Sequence, residues 1–138
     1  MKAIVTNILA IGLMALSSLN AQNKLTVNVN GAEDDVKGRI FISVCNSPQS
    51  FMKMGVYNKI VEVKATKTTI SFDDVPNGEY AVMLFKDDND NNTIDLGEYG
   101  IPTEKYGFSN NIKPTGIPTF DACKFEVNEN TTIDINLQ

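Results

Sequence analysis

The chain has 138 residues, a net charge of −5, two cysteines, no histidine and no tryptophan. Without histidine the commonest general base is missing, and with it the triads that use one and most catalytic zinc sites. A mildly acidic chain with no basic cluster repels phosphate backbones, which argues against a nucleic-acid partner.

Met1-Lys2 gives a short positive start, Ile4 to Leu16 is mostly apolar, and Ala21 supplies a small residue for a peptidase to cut behind. This is the layout of a secretory signal peptide over residues 1–21, leaving 22–138 as one exported domain. The apolar run is too short for a bilayer core, so no transmembrane span is expected. An oxidising compartment outside the cytoplasm, periplasmic or secreted, follows.

The rest alternates apolar and polar residues with the period of half-buried strands. Leu25, Val27 and Val29 form one apolar face, and Ile40, Ile42 and Val44 form another. Asn46-Ser47-Pro48 closes the second strand, and Phe51–Gly55 suits a short helical turn. Further strands are expected over Tyr57–Ala65 and Thr68–Phe72, with Asp73–Gly78 as a turn. Tyr80–Phe85 is apolar on both faces, as a central strand should be. Thr119–Val127 and Thr131–Leu137 complete the set. Six or seven mainly antiparallel strands without an amphipathic helix predict a single all-β sandwich with one long loop rich in glycine, proline and aromatics.

The segment after the central strand carries the chemistry. Asp87, Asn89 and Asn91 stand at positions one, three and five of a twelve-residue calcium loop. Thr93, through its carbonyl, stands at seven, Asp95 at nine and Glu98 at twelve. Calcium takes six to eight oxygens, and this spacing wraps a chain around one centre. Asn92 replaces the usual glycine at position six; asparagine tolerates φ above zero better than other non-glycine residues. Five carboxylates in so short a stretch are expected to repel one another without a cation. The flanks are not EF-hand helices, which points to a structural ion rather than a switch. Affinity is expected in the micromolar to millimolar range.

From Tyr99 to Pro118 the chain looks irregular. Tyr99, Tyr106, Phe108, Ser109, Asn110 and Asn111 form either a ligand- or partner-binding lip or a plug that ties down backbone groups at the end of the sandwich. Cys45 and Cys123 fall on expected strands, as a disulfide or as two buried thiols. The strand parities do not choose between them.

The blocks Phe72–Val82, Asp87–Asn92 with Asp95, and Gly100–Asn111 resemble a bacterial secreted family known only as domain of unknown function 2141. The likeness covers nearly all of residues 22–138, and its most specific part is the block from Gly100-Ile101-Pro102 to Ser109-Asn110-Asn111. Val75–Val82 is also similar to prealbumin-like and immunoglobulin-like sandwiches. The resemblance implies export, a β-sandwich, and cation ligation by Asp87, Asn89, Asn91 and Asp95. Relatives need not be acidic at the position of Glu98, and they usually have glycine where this chain has Asn92. It brings no activity.

Taken together, these features point to a non-enzymatic accessory module of the bacterial cell envelope with a structural calcium ion. Its partner would be an envelope protein, a peptide or a polysaccharide. The alternatives are a structural assembly module without a ligand and a glycan hydrolase built on carboxylates such as Glu98 and Glu104.

Overall fold

A computed structural model describes residues 22–32 and 35–138. The expected signal peptide, residues 1–21, lies outside the described residues. Among the described residues, eight strands form two sheets: β1 (Gln22–Asn30), β2 (Arg39–Cys45), β3 (Tyr57–Glu62), β4 (Thr68–Pro76), β5 (Gly78–Asp87), β6 (Tyr106–Phe108), β7 (Phe125–Val127) and β8 (Thr131–Asn136). One sheet has the order β4-β1-β8; the other runs β3-β2-β5-β6, with β7 also paired to β5. All pairings are antiparallel except β1 with β8, which places the first and last strands side by side. The sandwich expected from the alternation is the fold observed. Among the described residues, no helix is long and apolar enough to cross a membrane.

The alternating residues fill the space between the sheets. Leu25, Val27 and Val29 of β1 meet Ile40, Ile42 and Val44 of β2 and Val82 and Leu84 of β5, all essentially buried. Each such side chain contributes about 1.5–3 kcal/mol when removed from water. The opposite face of β5 has a smaller cluster of Cys45, Phe51, Ala81, Phe108, Phe120 and Cys123. That second cover explains why β5 is apolar on both faces.

Four local features differ from the sequence expectations. β3 ends at Glu62, short of Ala65. β4 runs on through Pro76, because Asp73 and Asp74 form a bulge instead of a turn. Asn23 pairs with Val75 and Leu25 with Phe72, so two acidic residues oppose Lys24 alone. Asp74 takes φ 57° there, in keeping with the extra unpaired residue of a bulge. Thr119–Val127 is a four-residue helix, α1 (Phe120–Cys123), followed by β7. Thr119 caps α1 by accepting from the Ala122 N–H, a local bond that competes with the ladder. Finally, the irregular segment after the loop contributes β6 to the edge of β5.

Ser109, Asn110 and Asn111 then act as a seam. β6 pairs with Met83–Phe85 and β7 with Gly78–Tyr80, leaving a gap in β5 between them. At that gap the Val82 N–H donates to the Ser109 hydroxyl at 2.9 Å, and the hydroxyl donates to the Cys123 carbonyl. The Asn110 amide donates to the Ala122 and Lys124 carbonyls at the end of α1. The Asn111 side chain donates to the Asp134 carbonyl and accepts from the Asn136 N–H, imitating a neighbouring strand along β8. Asn110 and Asn111 both have positive φ, a conformation asparagine enters readily.

Ser109→Ala is expected to leave the Val82 N–H without its partner in a dry site and to destabilise the fold by about 1–3 kcal/mol. Urea unfolding measures this, with the midpoint lowered and the slope unchanged.

Candidate functional site

β5 ends at Asp87, whose side chain is fully buried. Its carboxylate accepts from the Asn91 N–H (3.3 Å) and the Asn92 N–H (3.0 Å), which winds the following residues back over it. Asp90 (φ 64°) and Asn92 (φ 65°) supply the left-handed positions this winding needs. Asn92 therefore does what glycine does at position six of the calcium pattern. Burial would push the Asp87 carboxyl up. Hydrogen bonds from the backbone of Asn92, Asn91 and Asp90, with the Arg39 guanidinium, outweigh that effect and hold it below the ordinary carboxylate value.

Arg39 reaches this site from β2, where it is the register partner of Asp87. Its Nη2 lies 3.2 Å from Asp87 Oδ2 and donates to Asn92 Oδ1 at 2.7 Å; its Nε lies 2.7 Å from Asp90 Oδ1. Lys86, 1% exposed, pairs with Asp88. Gly38, with φ 77°, lets the chain enter β2 against Asp87; a Cβ there would collide with the Asp87 carbonyl oxygen. The expected mutual repulsion of the acids is thus met in large part by the protein's own cations. Arg39 serves Asp87 and Asp90, and Lys86 serves Asp88.

Four of the six residues assigned to the cation come together. The Asn89 and Asn91 amides both donate to the Asp95 carboxylate, and the Asn91 N–H lies between Asp87 Oδ1 and Asn89 Oδ1. Thr93 stands at the rim, its N–H donating to Asn91 Oδ1. Asp87, Asn89, Asn91 and Asp95 are all hard-oxygen donors, as calcium prefers. To receive it, the two amides must turn so that Oδ1 rather than Nδ2 faces the centre. Among the described residues, no three His, Cys, Asp or Glu side chains gather at one point. The donor set is two carboxylates and two amides.

Glu98 is not drawn in. It begins an exposed turn, Glu98–Gly100, at the tip of a small hairpin. The hairpin is closed by Thr103 N–H to the Asp95 carbonyl and Gly97 N–H to the Ile101 carbonyl, with a bridge between Leu96 and Pro102. Glu104, which the calcium spacing does not include, instead clamps the loop. Its two oxygens accept from the N–H groups of Asp88 (2.9 Å) and Asp95 (3.0 Å). Arg39 and Glu104 lie outside the twelve residues, and no spacing rule points to them.

The aromatic segment divides. Tyr99 is 95% exposed at the hairpin tip with φ 59°. Tyr106 is half-buried, Phe108 is buried in the second cluster, and Ser109, Asn110 and Asn111 form the seam. Of the proposed lip, Tyr99, Asn110 and Asn111 are exposed, while Phe108 and Ser109 are buried and Tyr106 is half-buried.

Cys45 and Cys123 are free, fully buried thiols in that same cluster. Burial pushes Cys123 up from 9.0 to about 11 and raises Cys45 as well. A raised acid favours the protonated folded state, so its stabilisation is complete below the unfolded thiol value of about 8.5. It is lost as pH rises toward about 11. The urea midpoint of the reduced protein is therefore expected to fall across that window, and to fall less in Cys123→Ala.

No curated protein and no solved structure matches the chain. A family model described as "Uncharacterized protein conserved in bacteria (DUF2141)" matches residues 27–134, from the middle of β1 into β8. This is the family that the residue blocks resemble, and the chain belongs to it.

Proposed function

We propose that this is an exported, non-enzymatic β-sandwich of the bacterial cell envelope that holds one structural calcium ion in the Asp87–Asp95 loop. The ion stiffens the loop face through which the module binds a polysaccharide, a peptide or another envelope protein. One observation carries the reading. The Asn89 and Asn91 side chains both bond the Asp95 carboxylate, and the Asp87 carboxylate reaches the same group through the Asn91 backbone N–H, in a chain already wound by left-handed residues at Asp90 and Asn92.

Two carboxylates set the strength. Ligand charge tunes calcium affinity, and Arg39 offsets part of the charge on Asp87. A dissociation constant of roughly 0.1–1 mM, the range of extracellular modules, follows. The non-enzymatic reading gains support from the two acids of the hydrolase alternative. Glu104 has both oxygens on backbone N–H groups, and Glu98 stands on an exposed turn.

Isothermal calorimetry on residues 22–138 tests the ion. Binding is expected for wild type, to be lost in Asp87→Ala and Asp95→Ala, and to persist in Glu98→Gln. Magnesium, which demands tighter octahedral geometry and keeps its waters, is expected to bind more weakly. At calcium tenfold above its dissociation constant, the fold should gain about 1.4 kcal/mol. The absence of calcium heat in wild type would reject the reading.

A further inference from the structure

We infer that Glu104 is a positioning residue that closes the cation loop before any ion arrives; its effect on affinity rests on the calcium reading above. Glu104 is 8% exposed, and each of its two carboxylate oxygens takes one backbone N–H. Those N–H groups belong to Asp88 and Asp95, so they bracket the run that carries the Asn89 and Asn91 donors and ends on Asp95. The carboxylate thereby fixes the span between the ends of that run. Closing a flexible loop costs entropy that grows with its length, and Glu104 meets that cost in the folding of the protein rather than in the binding of the ion.

The clasp also joins two elements through Asp95. The Asp95 N–H goes to Glu104, and its carbonyl accepts from the Thr103 N–H (2.9 Å) and the Thr103 hydroxyl (3.2 Å). Its carboxylate holds the Asn89 and Asn91 amides. Asp95 is therefore placed by its backbone and left to bind through its side chain. Glu104 faces that backbone and acts as the support of a ligand rather than as a ligand. Outer partners of this kind typically change metal affinity by about 10–100-fold when removed.

Glu104→Gln keeps the shape and one acceptor oxygen but loses the second, so one of the two N–H groups must lose its partner. Calcium affinity is expected to fall about tenfold. In the calcium-free protein, amide exchange should accelerate at Asp88, at Asp95 or at both. The amides of Asn91 and Asn92, held by Asp87, should keep their protection. Asp87→Ala should do the reverse. Equal acceleration at all four amides in Glu104→Gln would reduce Glu104 to a general stabiliser and overturn the inference, as would unchanged affinity with unchanged exchange.

Should wild type bind no calcium, the calcium reading fails by itself, and the exchange pattern still decides the clasp. Should Glu104→Gln fail to fold, wild-type NMR decides it. Scalar couplings across the hydrogen bonds, from the Asp88 and Asp95 amide nitrogens to the Glu104 carboxyl carbon, support the clasp if present and overturn it if absent.

Discussion

A carboxylate removed from water must be surrounded by donors, and the burial of Asp87 imposes that condition on everything near it. Two backbone N–H groups can reach the carboxylate only if the chain turns back over the end of β5. That turn places Asp90 and Asn92 in left-handed conformations. The remaining charge is met by Arg39, delivered to the spot because β2 is in register with β5. The loop is thus a consequence of how a central strand ends. The Asn89 and Asn91 side chains then donate to the Asp95 carboxylate, so the arrangement of the loop follows from the needs of one buried acid.

The loop also depends on the opposite side of the five-stranded sheet. β5 is central only because β6 and β7 cover its second edge, and neither is long enough to do so alone. Ser109 fills the gap between them with a hydroxyl, while Asn110 and Asn111 tie the same segment to α1 and to β8 of the other sheet. Side chains replace ladder bonds there, which satisfies buried backbone groups where a regular strand could not continue. The segment from Gly100 to Asn111 links this seam to the hairpin and to Glu104. One stretch of chain therefore supports both the sheet and the loop.

Much of this was legible in the sequence. Alternation placed β1, β2 and β8, because each has one face in a dry core, and a run apolar on both faces placed β5, which is covered on both. The calcium spacing marked Asp87, Asn89, Asn91 and Asp95; the two asparagine amides bond Asp95, and Asp87 accepts from the Asn91 backbone N–H. Where expectation and structure part, a tertiary partner decided the matter. Asp73 and Asp74 look like a turn until Lys24 is opposite them in a bulge. Thr119 looks like the start of a strand until its hydroxyl caps α1. Arg39 and Glu104 are distant in sequence from the acids they serve, and only strand register and the return of the hairpin bring them in. Glu98 met the spacing at position twelve, yet the hairpin carries it to an exposed tip, away from the joined residues.

A crystal structure of residues 22–138 grown in millimolar calcium tests the central claim most directly. One ion is expected among the oxygens of Asp87, Asn89, Asn91 and Asp95, at about 2.3–2.6 Å, with both asparagine amides turned to face it and Glu104 still on the Asp88 and Asp95 N–H groups. Anomalous density absent from the loop, with Asn89 and Asn91 still donating to Asp95, would contradict it.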